Sequence, residues 1–137
     1  MRSFILDCSV TMSWCFEDES GKYAASVLDA MADAEVQVPS IWPLEVANVL
    51  LVAERRRRIT PVASAVFIRH LSGLPIRVAP GVDDLFARVL PLARSAGLSA
   101  YDAAYIELAQ ETCLPLASQD RAMRTAARKV GVELFAT

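Results

Sequence analysis

Four carboxylates in this 137-residue chain fall where they could do chemistry together. Asp7 closes the apolar run Ser3 to Asp7 (SFILD), and Glu45 follows Pro43 in the first turns of a helical pattern. Asp102 stands three residues after Ser99, and Asp120 three beyond Ala117. Carboxylates sharing one site repel one another, so each has a raised pKa unless a cation compensates. A hard divalent ion is the economical answer, magnesium first and manganese as the alternative, because both favour oxygen ligands. One or two such ions activate water and stabilise the oxygens of a phosphodiester under attack. The lone His70 and the scattered Cys8, Cys15 and Cys113 offer no zinc cluster.

Each acid also has an ordinary structural role open to it. Asp7 is suited to the turn after a strand, and Glu45 to a solvated helix face. Asp102 with Ser99 forms a weak capping box, and Asp120 is a natural N-cap. Spacing alone does not choose between these roles and a shared centre.

The elements that must position the acids come from the pattern of short apolar runs and longer helical stretches. Strands are predicted at Ser3–Asp7, Val36–Val38, Ile76–Ala79, Leu114–Ala117 and Val132–Phe135. Helices are predicted over Ser20–Ala34, Pro43–Arg57, Thr60–Leu71, Asp83–Ala96, Ser99–Thr112 and Asp120–Val130. Pro91 should kink or split the fourth of these, which closes near Gly97. Alternating strands and helices predict an α/β fold with a central parallel sheet of about five strands and helices on both faces. Two helices between the second and third strands form a helical arm. In an open parallel sheet chemistry collects beyond the carboxyl ends of the strands, and all four acids can face that edge.

Composition fits this reading. The chain is 54% hydrophobic and 22% charged, which excludes a disordered or collagen-like chain and suits a single domain over 1–137. The net charge is −2, which excludes a generally basic nucleic-acid coat. Charge is nevertheless uneven: the first fifty residues carry two basic and eight acidic groups, the remainder twelve and eight. An odd cysteine count without a CxxC pair argues against a disulfide framework and for a cytoplasmic location. No apolar run is long enough to span a membrane, and Asp7 interrupts the N-terminal apolar run too soon for a signal peptide.

Four segments carry a family resemblance: Phe4 to Val10 (FILDCSV) followed by Trp14 and Phe16, Trp42 to Leu50 (WPLEVANVL), Leu98 to Tyr105 (LSAYDAAY), and Leu116 to Asp120 (LASQD) followed by Gly131 and Val132. Together they resemble PIN-domain ribonucleases, most closely the VapC toxins of type II toxin–antitoxin systems, across nearly the whole chain. The resemblance implies a PIN-like three-layer fold and a metal-dependent endoribonuclease. It puts Asp7, Glu45, Asp102 and Asp120 on the family's four catalytic acidic positions, holding Mg2+ or Mn2+. Ser9 and Ser118 match small hydroxyl positions of the family near that centre, and Asn48 lies one turn from Glu45; the three are read as orienting carboxylates or water, with ordinary turn or helix contacts as the alternative. A family threonine often stands where Ser118 does, and the hydroxyl is retained. The implied partners are an RNA substrate, a cognate small VapB-like antitoxin whose tail covers the active site, and a second copy in a homodimer. Contact with DNA would come only through the antitoxin, and no membrane is involved.

Arg55, Arg56, Arg57 and Arg58 end the arm's first helix. They suit a solvated helix C-terminus, RNA phosphates or an acidic antitoxin segment, and sequence leaves the three open. Arg121, Arg124, Arg128 and Lys129 form a second basic group. Trp14, Trp42, Tyr101 and Tyr105 invite base stacking, although core or interface suits Trp42 and Tyr105 better. His70 fits a structural or exposed place. A catalytically weak binding protein on the same fold is the main competing class. An aspartate-nucleophile phosphatase would need Asp-x-Asp where the chain has Asp7-x-Ser9. A receiver domain would need a late-strand lysine, whereas Lys22 and Lys129 both fall in helices.

Overall fold

The computed structural model describes residues 2–16 and 21–136. Four strands form a parallel sheet in the order β3-β2-β1-β4: β1 Arg2–Leu6, β2 Ala34–Val38, β3 Ile76–Val78 and β4 Leu116–Ala117. Helices flank the sheet in a three-layer α/β arrangement: α1 Cys8–Cys15, α2 Lys22–Ala30, α3 Trp42–Arg55, α4 Pro61–Ser72, α5 Leu85–Arg88, α6 Leu90–Ala96, α7 Ala100–Thr112 and α8 Arg121–Lys129. Phe4, Ile5 and Leu6 of the inner strand β1 are wholly buried, as a strand covered on both faces requires. Phe4 pairs with Val36 on one side, and Leu6 with Ala117 on the other.

Several expectations are refined. The fifth strand is reduced to a single parallel bridge between Leu116 and Leu134. The bridge consists of the Leu116 N–H on the Glu133 carbonyl and the Phe135 N–H on the Leu116 carbonyl, both at 2.8 Å, while the Val132 N–H closes α8 on the Ala127 carbonyl. The fourth strand is shorter than predicted. Pro115 has no N–H to donate and contributes only its carbonyl, to Ile5 N at 2.9 Å. Asp7 lies one residue beyond β1. Of the helix expected from Ser20, Ser20 itself lies outside the described residues, and a 3-10 turn at Met31–Asp33 replaces the α-helical end. The helix expected over Asp83–Ala96 is split at Val89, with Pro91 in the first turn of α6, where it leaves no N–H unpaired. Gly97, at φ +67°, ends α6 in the left-handed conformation.

One helix was not legible in the sequence. Helix α1 starts directly after Asp7, and Cys8, Val10, Thr11, Met12 and Ser13 are all buried. A helix covered nearly all round has no apolar stripe to read. Of the arm, α3 buries Trp42, Val46, Leu50 and Ala53, whereas α4 buries only Ser64 and Leu71 and leaves Val62, Val66 and Ile68 exposed.

Candidate active site

Each of the four acids sits at the start of a helix. Asp7 is the N-cap of α1, Glu45 lies in the first turn of α3, Asp102 in the first turn of α7, and Asp120 is the N-cap of α8. Four helix N-termini, each carrying partial positive charge, therefore accompany four negative side chains.

Asp7 holds the N-cap position without capping. Its backbone carbonyl accepts the first helical bond, from Val10 N at 3.1 Å, but its carboxylate bonds no helix N–H. Instead Oδ2 accepts the Ser9 hydroxyl at 2.6 Å and the Ser118 hydroxyl at 2.8 Å. Sheet register explains the second bond. Leu6 pairs with Ala117, and the Asp7 N–H continues the ladder to the Ala117 carbonyl at 2.9 Å, which brings Ser118 beside the carboxylate.

Asp120 does cap: Oδ1 accepts Met123 N at 2.9 Å, and its own N–H is received by Ser118 Oγ at 3.1 Å. The Ser99 hydroxyl caps α7 by accepting Asp102 N at 3.1 Å. On the same helix, one turn on from Asp102, the fully buried Tyr105 donates its hydroxyl to Glu45 Oε1 at 2.6 Å. Trp42 ties the start of α3 to α1, with Nε1 donating to Thr11 Oγ1 at 3.0 Å.

Electrostatics shows that the acids share one field. Burial pushes the Asp7 carboxyl above its ordinary value, and the charges of Asp102 and Asp120 push it further, against the two serine hydroxyls. Burial raises Glu45, helped by Asp7 and Asp102 and opposed by the Tyr105 hydroxyl. Burial and Asp120 raise Asp102. Among the described residues, no basic side chain is one of the groups that shift these three acids. The Tyr105 hydroxyl is itself raised, first by burial, and stays protonated as a donor.

Uncompensated acids with hydroxyl neighbours fit a hard divalent cation, an all-oxygen donor set with excess negative charge. Among the described residues, no three acidic, histidine or cysteine side chains stand close enough to form a ligand group as placed. The donor types suit a hard divalent ion, while the side chains as placed do not themselves form its ligand group.

The other expected residues divide. Ser9 and Ser118 touch Asp7 directly. Asn48 is exposed on α3, and among the described residues no hydrogen bond ties it to Glu45. Arg55, Arg56, Arg57 and Arg58 are all exposed and wind the end of α3 rather than share a face. Arg56 is the C-cap, Arg57 has φ 59°, and the Arg58 guanidinium lies 4.4 Å from the Phe16 ring centroid. Trp14 is committed to structure, with Nε1 donating to the Ala24 carbonyl at 2.8 Å. Trp42 is buried, Tyr101 is exposed, and His70 is exposed on α4. Arg124 donates to the Ser118 carbonyl at 2.8 Å. Cys8 is buried, and its thiol is pushed up to about 12 by burial and by Glu45 and Asp7.

Gln119 is a residue that sequence reasoning passed over. Its N–H donates to Ser9 Oγ at 3.1 Å, and its Nε2 to the Ser9 carbonyl at 3.3 Å and to Ser13 Oγ. It thereby pins α1 to the loop that carries Ser118 and Asp120. Neither its type nor its spacing signals this.

A parallel sheet flanked by helices, with Asp7 just beyond β1 and Asp120 beyond β4 joined through Ser118, defines an α/β protein with linked acids at its sheet edge. The PIN domain family model matches residues 4–129, and the chain belongs to that family. No curated protein sequence matches it. Solved structures share the fold. PAE2754 from Pyrobaculum aerophilum has a TM-score of 0.72 at 19% identity, covering 91% of this chain and 84% of its own. FitAcB from Neisseria gonorrhoeae has a TM-score of 0.65 at 18% identity, covering 97% and 96%. A toxin–antitoxin complex from Klebsiella pneumoniae has a TM-score of 0.61 at 17% identity, covering 85% and 86%.

Proposed function

We propose that the chain is a divalent-metal-dependent endoribonuclease and the toxin of a type II, VapC-like toxin–antitoxin pair. The observation that carries this reading is the placement of Asp7, Glu45, Asp102 and Asp120 at four helix starts, with Ser118 touching both Asp7 and Asp120 and Tyr105 tying the helix of Asp102 to Glu45. Those acids would hold Mg2+ or Mn2+, which supplies an activated water and charge stabilisation for phosphodiester hydrolysis. The chain's own contribution is positional. Ser9 and Ser118 fix Oδ2 of Asp7. The α8 cap fixes Asp120, and Ser99 fixes the start of α7 and so Asp102. Burial of Asp7 limits competing water at that carboxylate.

The fold likeness to a structure described as a toxin–antitoxin complex supports a small VapB-like antitoxin as partner. The exposed Val62, Val66 and Ile68 of α4, with Leu44 and Leu51 of α3, supply apolar surface for that partner or for a second copy in a homodimer. DNA would be reached only through the antitoxin. The exposed arginines 55 to 57 offer charge to RNA phosphates. No described helix is long and apolar enough to cross a membrane, and we place the protein's action in the cytoplasm. The test is cleavage of cellular RNA by partner-free protein with magnesium, manganese or chelator. Metal-dependent fragments support the reading, and their absence from folded, metal-saturated protein turns it towards a binding role.

A further inference from the structure

Tyr105 joins two elements that carry acids. It lies on α7 three residues after Asp102, and its hydroxyl reaches Glu45 on α3 across a separation of 60 residues, at 2.6 Å. A fully buried phenol needs a partner for its hydroxyl, and a core serves equally well with phenylalanine unless that partner matters. The partner here is neither a backbone carbonyl nor a buried amide. It is one oxygen of a half-buried carboxylate at the acidic edge, on a flexible side chain with several rotamers. A short bond from a rigid ring holds that carboxylate in one orientation and occupies Oε1. Trp42, three residues before Glu45, is held to Thr11, and the Thr11 hydroxyl reaches the Asp7 carbonyl at 3.4 Å. Backbone and side chain of this part of α3 are thus each fixed against a different neighbour.

We infer that Tyr105 is a positioning residue: by holding Glu45 Oε1, its hydroxyl orients the Glu45 carboxylate for a divalent cation at the acidic edge. This inference rests on the metal-site reading above and deepens it. Tyr105 touches neither ion nor substrate and acts only through Glu45.

The experiment is a calorimetric titration with Mn2+ of four proteins: wild type, Tyr105→Phe, Glu45→Gln and the double variant. Phenylalanine keeps the ring in its packed place, and the melting curve in chelator confirms each fold. The expected result is about tenfold weaker Mn2+ binding for Tyr105→Phe, the scale on which partners of metal ligands act. In the Glu45→Gln background the same change should alter affinity by less than about twofold, since coupled residues are non-additive. Wild-type affinity in Tyr105→Phe overturns the inference. An equal loss with and without Glu45 also overturns it, because that marks a purely structural tyrosine. Wild type that binds no Mn2+ overturns the metal-site reading itself, a separate outcome.

Discussion

Ser118 donates its hydroxyl to Asp7 Oδ2 at 2.8 Å and accepts the Asp120 N–H at 3.1 Å, so one buried side chain touches both acids at the ends of β1 and β4. Ser9 supplies the second donor to the same Asp7 oxygen at 2.6 Å. Removing either hydroxyl takes a donor from a buried carboxylate. Ser118→Ala also orphans the Asp120 N–H. Each alanine variant should lose about tenfold in RNA cleavage, with Ser118→Ala the worse, and about 1 kcal/mol of stability. Single-turnover cleavage and chemical denaturation measure both. Equal activity in Ser118→Ala and wild type would contradict the positional role.

Asp7, Glu45 and Asp102 all bind their proton more tightly in the folded chain than at the ordinary 3.8 for Asp or 4.5 for Glu. The stabilisation this gives is fully present below those ordinary values and is lost as pH rises through the folded ones. In chelator, the contribution of these groups should therefore raise the melting temperature as pH falls towards those ordinary values. Asp7→Asn, which keeps an oxygen for the two serine hydroxyls, should melt higher than wild type at pH 7 and show a flatter pH profile. Saturating Mg2+ should erase most of that difference. A lower melting point for Asp7→Asn at pH 7 in chelator would contradict the account.

Away from the acids, Arg88 of α5 makes an ion pair with Glu107 of α7, a residue only 4% exposed, and reaches Glu111 at 3.4 Å. The ion pair engages Glu107 Oε1, and Oε2 has no hydrogen-bond partner among the described residues. Burial raises the Glu107 carboxyl, with Arg88 pulling it back. Arg88→Ala should thus destabilise by about 1–3 kcal/mol, discounted for the exposure of the arginine, by stranding a buried charge. Adding Glu107→Leu should recover most of the loss. Denaturation of the single and double variants decides this, and an unrecovered double variant would show that Arg88 acts by packing alone.

The three thiols should react at very different rates. Cys8 is buried with its thiol pushed up to about 12, whereas Cys113 is exposed at the end of α7. At pH 8 the Cys8 thiolate fraction is on the order of 1 in 10,000. A thiol reagent followed by mass mapping should label Cys113 first and Cys8 only on unfolding. Fast labelling of Cys8 would mean that α1 opens readily at the acidic edge.

Strand β1 and the places of Asp7 and Asp120 at strand ends were legible because a fully apolar run and polar punctuation are properties of the residues themselves. Helix α1 was not, because Cys8 to Ser13 is buried almost all round and leaves no periodicity. The capping alternatives resolved differently for each acid. Asp120 caps while sharing Ser118 with Asp7, and Asp7 occupies a cap position with its carboxylate turned elsewhere. No spacing rule separates those two cases, since register with Ala117 decides the second. Tyr105 reads as core from sequence, and it is core. The partner of its hydroxyl lies on another helix and shows only in three dimensions. Asn48 illustrates the converse: helical spacing puts it one turn from Glu45, but the turn faces solvent.

The central claim is that the four acids form a metal-dependent RNA-cleaving centre. The most direct test incubates total cellular RNA with purified, partner-free wild type and Asp102→Asn, in Mg2+, Mn2+ and chelator. The account predicts discrete fragments with wild type and metal only, and a loss of at least about a hundredfold in Asp102→Asn at unchanged melting temperature or higher. Cleavage by folded Asp102→Asn at the wild-type rate, or by wild type in chelator, would contradict it.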